Sequence, residues 1–274
     1  MSSEKPLFLI NIKEVLRTKA PKLSRKIPGF VVTLLEKIIH QKRMNDFLKK
    51  NNGAEGVDFM NNLINYLRIT YQIEGKENIP ENGRFIFASN HPLGGLDGVC
   101  LSAVLGTKYN EKIKYLVNDI LYFLEPVQNI FVPINKHGAQ AKGGAQAINN
   151  ALASDDQILT FPAGLCSRKQ KGKITDLEWK KMFIIKAVEY QRDVIPVHFK
   201  AKNSAFFYRL ANIRKRLNIK FNIEMLFLPS EMFKSEGGKF TIHFGKPIPW
   251  QTFDSSKTPI AWAQEVKKTV YQLQ

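Results

Sequence analysis

From residue 84 onward, strand-length apolar runs alternate with longer helical stretches, and no other feature constrains the fold as tightly. The runs cover 84–89, 114–118, 130–134, 157–161 and 194–199, and helical patterns over 98–105, 139–153 and 178–191 separate most of them. This order belongs to an α/β sheet with several parallel strands. Residues 222–228 and 239–244 read as further strands joined by a turn at Glu236-Gly-Gly-Lys239, and Ile260 to Leu273 as a closing helix. The expected fold is α/β, with a mixed, largely parallel central sheet flanked by helices. Hydrophobic residues make up 44% of the 274, enough for a sizeable core.

The N-terminal quarter has a different character. Residues 29–40 place apolar side chains at 30, 31, 34, 35, 38 and 39, a helical stripe, and 59–71 repeats the pattern. The expected division is a helical, amphipathic segment over 1–78 and an α/β domain over 79–274. Apolar helix faces with basic flanks suit a membrane surface. A helical cap packed on the main domain gives the same pattern.

Where the first strand ends, the chain reads Ser89-Asn90-His91-Pro92-Leu93-Gly94-Gly95-Leu96-Asp97-Gly98. His91 stands at the carboxyl end of a strand, where open α/β sheets place ligands. In an extended chain, residues six apart lie about 20 Å from each other, so His91 and Asp97 meet only if the chain folds back. Gly94 and Gly95 permit positive φ and Pro92 fixes its own. Asp97 would then hold one imidazole nitrogen, fixing the tautomer and freeing the other to take a proton. Asp97 also suits a helix cap, and the two roles are compatible.

Four blocks in order over about 80–250 resemble the glycerophospholipid acyltransferase family, which includes the lysophosphatidic acid acyltransferases. Asn90-His91-Pro92 with Asp97 resembles its His/Asp block. Ile130-Phe-Val-Pro-Ile-Asn-Lys136 is similar to its second block, Phe161-Pro-Ala-Gly-Leu-Cys-Ser-Arg168 to its Phe-Pro-Glu-Gly block, and Val194-Ile-Pro-Val197 to its fourth. Gly245-Lys-Pro-Ile248 resembles the usual end of the domain. Two departures mark a divergent branch. Five residues separate His91 from Asp97 where four are common, and Ala163 stands where Glu is common. The chain also resembles bacterial branches linked to amino-acid-containing lipids.

The resemblance implies transfer of a fatty acyl group from a thioester, acyl-CoA or acyl carrier protein, to a lipid hydroxyl such as that of a lysophospholipid or a monoacylated amino-acid lipid. His91 would be the general base and Asp97 its orienting carboxylate. The implied substrate contacts are Asn90, Asn135, Lys136, Gly164, Ser167 and Arg168. Arg168 is the foremost of these, since a guanidinium binds phosphate or carboxylate in bidentate fashion, although the run Arg168-Lys-Gln-Lys171 reads equally as a solvated face. No resident cofactor is expected, the thioester being a co-substrate, and the scattered histidines and two cysteines lack metal-ligand spacing. Cys166 lacks the Gly-x-Cys-x-Gly spacing of a nucleophile elbow, and Gly138–Gly144 lacks a P-loop ending. His40, His198 and His243 read as packing or surface residues.

The net charge of +17 is uneven. Residues 13–50 carry eleven Lys/Arg against three acids, and 200–220 carry seven and no acid, so the two segments hold fifteen of the excess. Such surfaces attract anionic lipid, phosphorylated substrates or nucleic acid. Phe206-Phe-Tyr208 beside Arg209 would suit base stacking, but no nucleic-acid motif accompanies it, and no nucleic-acid partner is expected. No apolar run reaches 18 residues, so no transmembrane helix is expected, and the N-terminal apolar stretch is too short for a secretory signal. The expected location is cytoplasmic, peripheral on the inner membrane. A hydrolase using His91 to activate water is a competing reading, because base and oxyanion site would be shared.

Overall fold

The computed structural model describes residues 7–19, 21–118, 124–134 and 140–273. Asn135, Lys136 and His137 lie outside the described residues, as does the start of the Gly138–Gly144 stretch. The helices are α1 (Ile12–Lys19), α2 (Pro21–Ser24), α3 (Gly29–Ile38), α4 (Gln41–Lys50), α5 (Gly56–Tyr66), α6 (Leu96–Lys108), α7 (Gln140–Ala153), α8 (Met182–Glu189), α9 (Ala205–Arg216), α10 (Leu228–Lys234) and α11 (Pro259–Gln272). The strands are β1 (Thr70–Glu74), β2 (Phe85–Ser89), β3 (Ile113–Val117), β4 (Phe131–Pro133), β5 (Gln157–Thr160), β6 (Arg168–Gln170), β7 (Lys173–Thr175), β8 (Asp193–Lys200) and β9 (Lys239–Phe244).

Seven strands form one sheet in the order β1-β9-β8-β2-β5-β3-β4. All neighbours are parallel except β8 and β9. The expected mixed, largely parallel α/β sheet is therefore present. β2 lies at its centre and is buried along its whole length, which is why Phe-Ile-Phe-Ala-Ser shows no polar alternation. Its register sets Ala88 against Thr160 of β5 and Pro196 of β8, so the carboxyl ends of these three strands lie side by side. On one face, Trp179, Phe183, Ile184 and Ala187 pack with Val266 and Val270 into an apolar cluster under β2, β5 and β8. Beyond the sheet, β6 and β7 make a small antiparallel hairpin.

By contacts, the chain divides into a unit of residues 1–54 with 204–236 and a unit of 55–203 with 237–274. The structure differs from the sequence reading in two places. The helix expected over 59–71 stops at Tyr66, because Leu67 is followed by Arg68 in the left-handed region (φ 52°). The next residues form β1, paired with β9 along five residues. Finally, 222–228 is no strand: Ile223–Phe227 is a 3-10 helix that runs into α10, with a proline in the first turn of α10. A short apolar run carries no period that separates strand from buried helix, and Glu224 is drawn inside by Arg214, 2.9 Å away.

Candidate active site

The site grows from the end of β2. After Ser89 the chain turns through Pro92, Leu93 and Gly94, whose φ of 74° needs a residue without a Cβ, and enters α6 at Leu96. The turn is organised around one carboxylate. Asp97 Oδ2 accepts from the Leu93 N–H (3.0 Å), and Oδ1 accepts from the N–H groups of Gly95 (3.0 Å) and Gly98 (2.9 Å). His91 Nδ1 lies 3.0 Å from Oδ2. Asp97, in the first turn of α6, thus gathers the N–H groups of the turn and meets His91 at once, and five intervening residues close the contact. Gly98 allows α6 to pass close to the sheet, for a Cβ there would lie 2.5 Å from the Tyr115 hydroxyl.

Asp97 is fully buried. Burial alone would raise its pKa, but His91 and the N–H groups of Leu93 and Gly98 outweigh it and hold the carboxyl below its usual range. For His91 burial works downward, and the carboxylates of Asp97 and Asp176 overcome it, against the opposing charge of Arg168. The net shift is upward, so the imidazolium is favoured. The Phe161 ring, at the end of β5, lies against the imidazole with centroids 4.1 Å apart and planes tilted by 32°. Tyr115 packs on Phe161 in turn, at 5.5 Å.

The backbone of His91 is held as firmly as its ring. Its carbonyl accepts from Ser167 N–H at 2.7 Å, and its N–H donates to Asp176 Oδ1 at 3.2 Å. Asp176 is buried and accepts from Ser167 Oγ (2.6 Å) and Trp179 Nε1 (2.9 Å). Burial, the largest influence, raises its pKa despite these donors. The sequence reading did not single out Asp176. The available signal was faint: it is the first acid after Asp156, across a stretch holding Arg168, Lys169, Lys171 and Lys173.

The other expected contacts fall around this centre with varied roles. The Asn90 amide is paired with the backbone of Phe199, donating to its carbonyl (3.0 Å) and accepting from its N–H (2.6 Å), so it ties the end of β2 to β8. Gly164 closes the turn after β5, its N–H donating to Phe161 O at 2.9 Å with φ at 67°. Ser167 is buried and points at Asp176. Arg168 is buried too, and its Nη1 donates to Cys166 O (2.7 Å) and sits 2.8 Å from Cys166 Sγ. It is not the solvated member of a charge run, since Lys169 and Lys171 are exposed while it is covered. Ala163 packs in the apolar cluster with Trp179 and Phe183, a setting where a carboxylate would be costly. Cys166 and Cys100 are both buried, and neither forms a disulfide.

A family model described as Acyltransferase matches residues 14–274. The chain belongs to this acyltransferase family. The family resemblance carried by the four sequence blocks is therefore met across nearly the whole chain. The Lyso-glycine lipid O-acyltransferase of Bacteroides thetaiotaomicron is 55% identical over 267 residues, covering 97% of this chain and 98% of that protein. Its counterpart of the same name in Phocaeicola vulgatus is 52% identical, covering 97% and 96%. Among solved structures, the 1-acyl-sn-glycerophosphate acyltransferase PlsC of Thermotoga maritima aligns with 94% of this chain and 86% of its own, at 19% identity and a TM-score of 0.48. This member of the acyltransferase family holds His91 and Asp97 in contact across five intervening residues, and it buries Ala163.

Proposed function

We propose that this protein is a lipid O-acyltransferase that moves a fatty acyl group from an acyl thioester to the hydroxyl of a singly acylated lipid. Two relatives above 50% identity, each named for a lyso-glycine lipid, favour an amino-acid lipid over a lysophospholipid as acceptor. The observation that carries the chemistry is the 3.0 Å contact between His91 Nδ1 and Asp97 Oδ2 at the carboxyl end of β2. A proton on Nδ1 donated to Asp97 leaves the lone pair on Nε2. Nε2 accepts the acceptor's hydroxyl proton as that oxygen attacks the thioester carbonyl. The imidazolium so formed is stabilised by Asp97, and it returns the proton to the leaving thiolate. The C–O bond forms as the C–S bond breaks, without a covalent enzyme intermediate. Arg168, Ser167, Gly164 and Asn90 shape the surroundings of His91, and Arg168 is the residue for an anionic group of donor or acceptor. The donor is acyl-CoA or acyl carrier protein.

The same reading places the enzyme on an anionic membrane surface, on the cytoplasmic side of the inner membrane. No helix among the described residues is long and apolar enough to cross a bilayer. Instead, Phe30 (74% exposed) and Leu34 (53%) stand on α3 beside Lys37, and Leu217 (64%) and Phe221 (63%) follow the basic end of α9. Each cation close to such a surface contributes about 1 kcal/mol.

The test is to incubate the purified protein with a labelled acyl thioester and a panel of monoacylated lipids and to identify products by mass spectrometry. A diacylated glycine lipid is the expected product. Free fatty acid in place of an acylated lipid would mark a hydrolase, and acylation of lysophosphatidic acid alone would reassign the acceptor.

A further inference from the structure

The His91 peptide is gripped from both sides by one small element. Ser167, just before β6, donates its N–H to His91 O. Asp176, just after β7, accepts the His91 N–H. The two gripping residues are themselves joined by the 2.6 Å bond from Ser167 Oγ to Asp176 Oδ1. The base of the β6–β7 hairpin therefore closes a ring of three hydrogen bonds on the backbone of His91. Resting on the reading that His91 is the catalytic base, we propose that Asp176 is a positioning residue: it fixes the His91 backbone through the hairpin base and sets, with Asp97, the charge that the imidazole faces.

The surroundings of Asp176 argue that its place is built. Trp179 Nε1 donates to Oδ2 at 2.9 Å, so both carboxylate oxygens are engaged. Its own N–H donates to the Tyr271 hydroxyl (2.7 Å), and Lys267 Nζ donates to its carbonyl (2.7 Å), both from α11. A buried carboxylate is costly unless paired, and a neutral side chain would have made the hairpin base with less expense of desolvation. The charged groups facing His91 are Asp97 from α6, Arg168 from β6 and Asp176 after β7. The charge of a second carboxylate, held at the His91 backbone N–H, favours the imidazolium that proton transfer creates, and a ring held at its peptide as well as at Nδ1 has little freedom to misplace Nε2.

The experiment compares Asp176→Asn, Ser167→Ala and His91→Ala in the full chain, with two readouts. The first is the titration of His91 followed by ¹⁵N-histidine NMR without substrate. The second is kcat and acceptor KM across pH. Asp176→Asn is expected to lower the His91 pKa and to reduce kcat about tenfold with acceptor KM unchanged. The Asn amide meets at least one donor with a donor, so this variant is checked for folding. Ser167→Ala removes a single bond to the same carboxylate and serves if it fails; a smaller loss in kcat with KM unchanged is expected there. An unmoved His91 titration and wild-type kcat in a folded Asp176→Asn protein, or a Ser167→Ala protein changed only in KM, overturns the proposal. If His91→Ala remains fully active, the reading of His91 as base fails. If only His91→Ala is inactive, that reading stands and the role of Asp176 falls.

Discussion

The α/β unit hides its polar groups, whereas the helical unit of residues 1–54 and 204–236 displays its apolar ones. Twelve of the fourteen buried polar or charged residues among the described positions belong to the α/β unit. Eleven of the thirteen exposed large hydrophobic residues belong to the other, which is about a third of the chain. Burying polar groups is costly unless each is paired, so their concentration around β2 marks where side chains must be held in one geometry. Leaving Phe30, Leu217 and Phe221 in water is unfavourable as well, and a protein that exposes many large apolar side chains in one unit has a use for them as contact surface. Under the proposed function, one chain would separate the two demands of lipid chemistry: a fixed site for proton transfer, and a greasy, basic surface for the aggregate in which the acceptor resides.

The sharpest way to break this division is to remove the base. His91→Ala should reduce turnover by about 10²–10⁴-fold while the protein still folds and vesicle binding is unchanged. A variant that retains full activity would leave the buried polar cluster without a catalytic purpose. Asp97→Asn comes next, with a loss on the order of 10²-fold from a misheld ring. It also changes the pH profile in a stated direction. In the wild type the carboxylates hold the His91 pKa above 6.5, and a general base works in its neutral form. Activity therefore rises with pH through an inflection above 6.5, and loss of the Asp97 charge moves that inflection to lower pH. An inflection that stays in place would show that another group is being titrated.

Arg192 sharpens the comparison from inside the α/β unit, since its burial serves architecture. It is fully buried and donates to the carbonyls of Leu152 (2.8 Å), Asp156 (2.7 Å) and Ser154 (2.5 Å), joining the end of α7 to the start of β8. Burial draws its pKa down to about 10, so it remains charged at neutral pH. Arg192→Ala strands several carbonyls and should lower stability by about 2 kcal/mol, seen in denaturant unfolding, with kcat per folded molecule and the pH inflection unaltered. A shifted inflection would mean that buried polarity in this unit cannot be divided into structural and catalytic parts.

What the sequence made legible follows from the range of each signal. The strands β2, β3, β4, β5 and β8 were readable because burial on both faces leaves continuous apolar runs, and the His91–Asp97 contact because a glycine pair permits the turn. β1 was missed because Thr70–Glu74 alternates exposed and half-buried residues at an edge and follows directly on a helical pattern. The 3-10 helix at Ile223–Phe227 was misread for want of a period. Asp176 was invisible for a different reason: it lies 85 residues from His91, and no local pattern announces a carboxylate that accepts a backbone N–H from a distant turn. The role of Asn90 was obscured in the same way, since the backbone it braces, at Phe199, is 109 residues away.

The mildest test addresses the exposed face directly. Phe30 and Leu34 lie one turn apart on α3, and no residue of that helix is buried. If this face enters the lipid interface, each side chain contributes part of the 1.5–3 kcal/mol that full burial would give. The double variant Phe30→Ser, Leu34→Ser should weaken sedimentation with anionic vesicles by about tenfold. The remaining binding should still fall with salt, because Lys37 and the basic residues of α9 act independently of the apolar pair. Turnover on an acceptor dispersed in detergent should be unchanged, for neither residue belongs to the unit that holds His91. Undiminished vesicle binding would assign the membrane contact to the cations alone and leave the α3 face to some other partner, while loss of detergent-phase turnover would dissolve the division of labour between the two units.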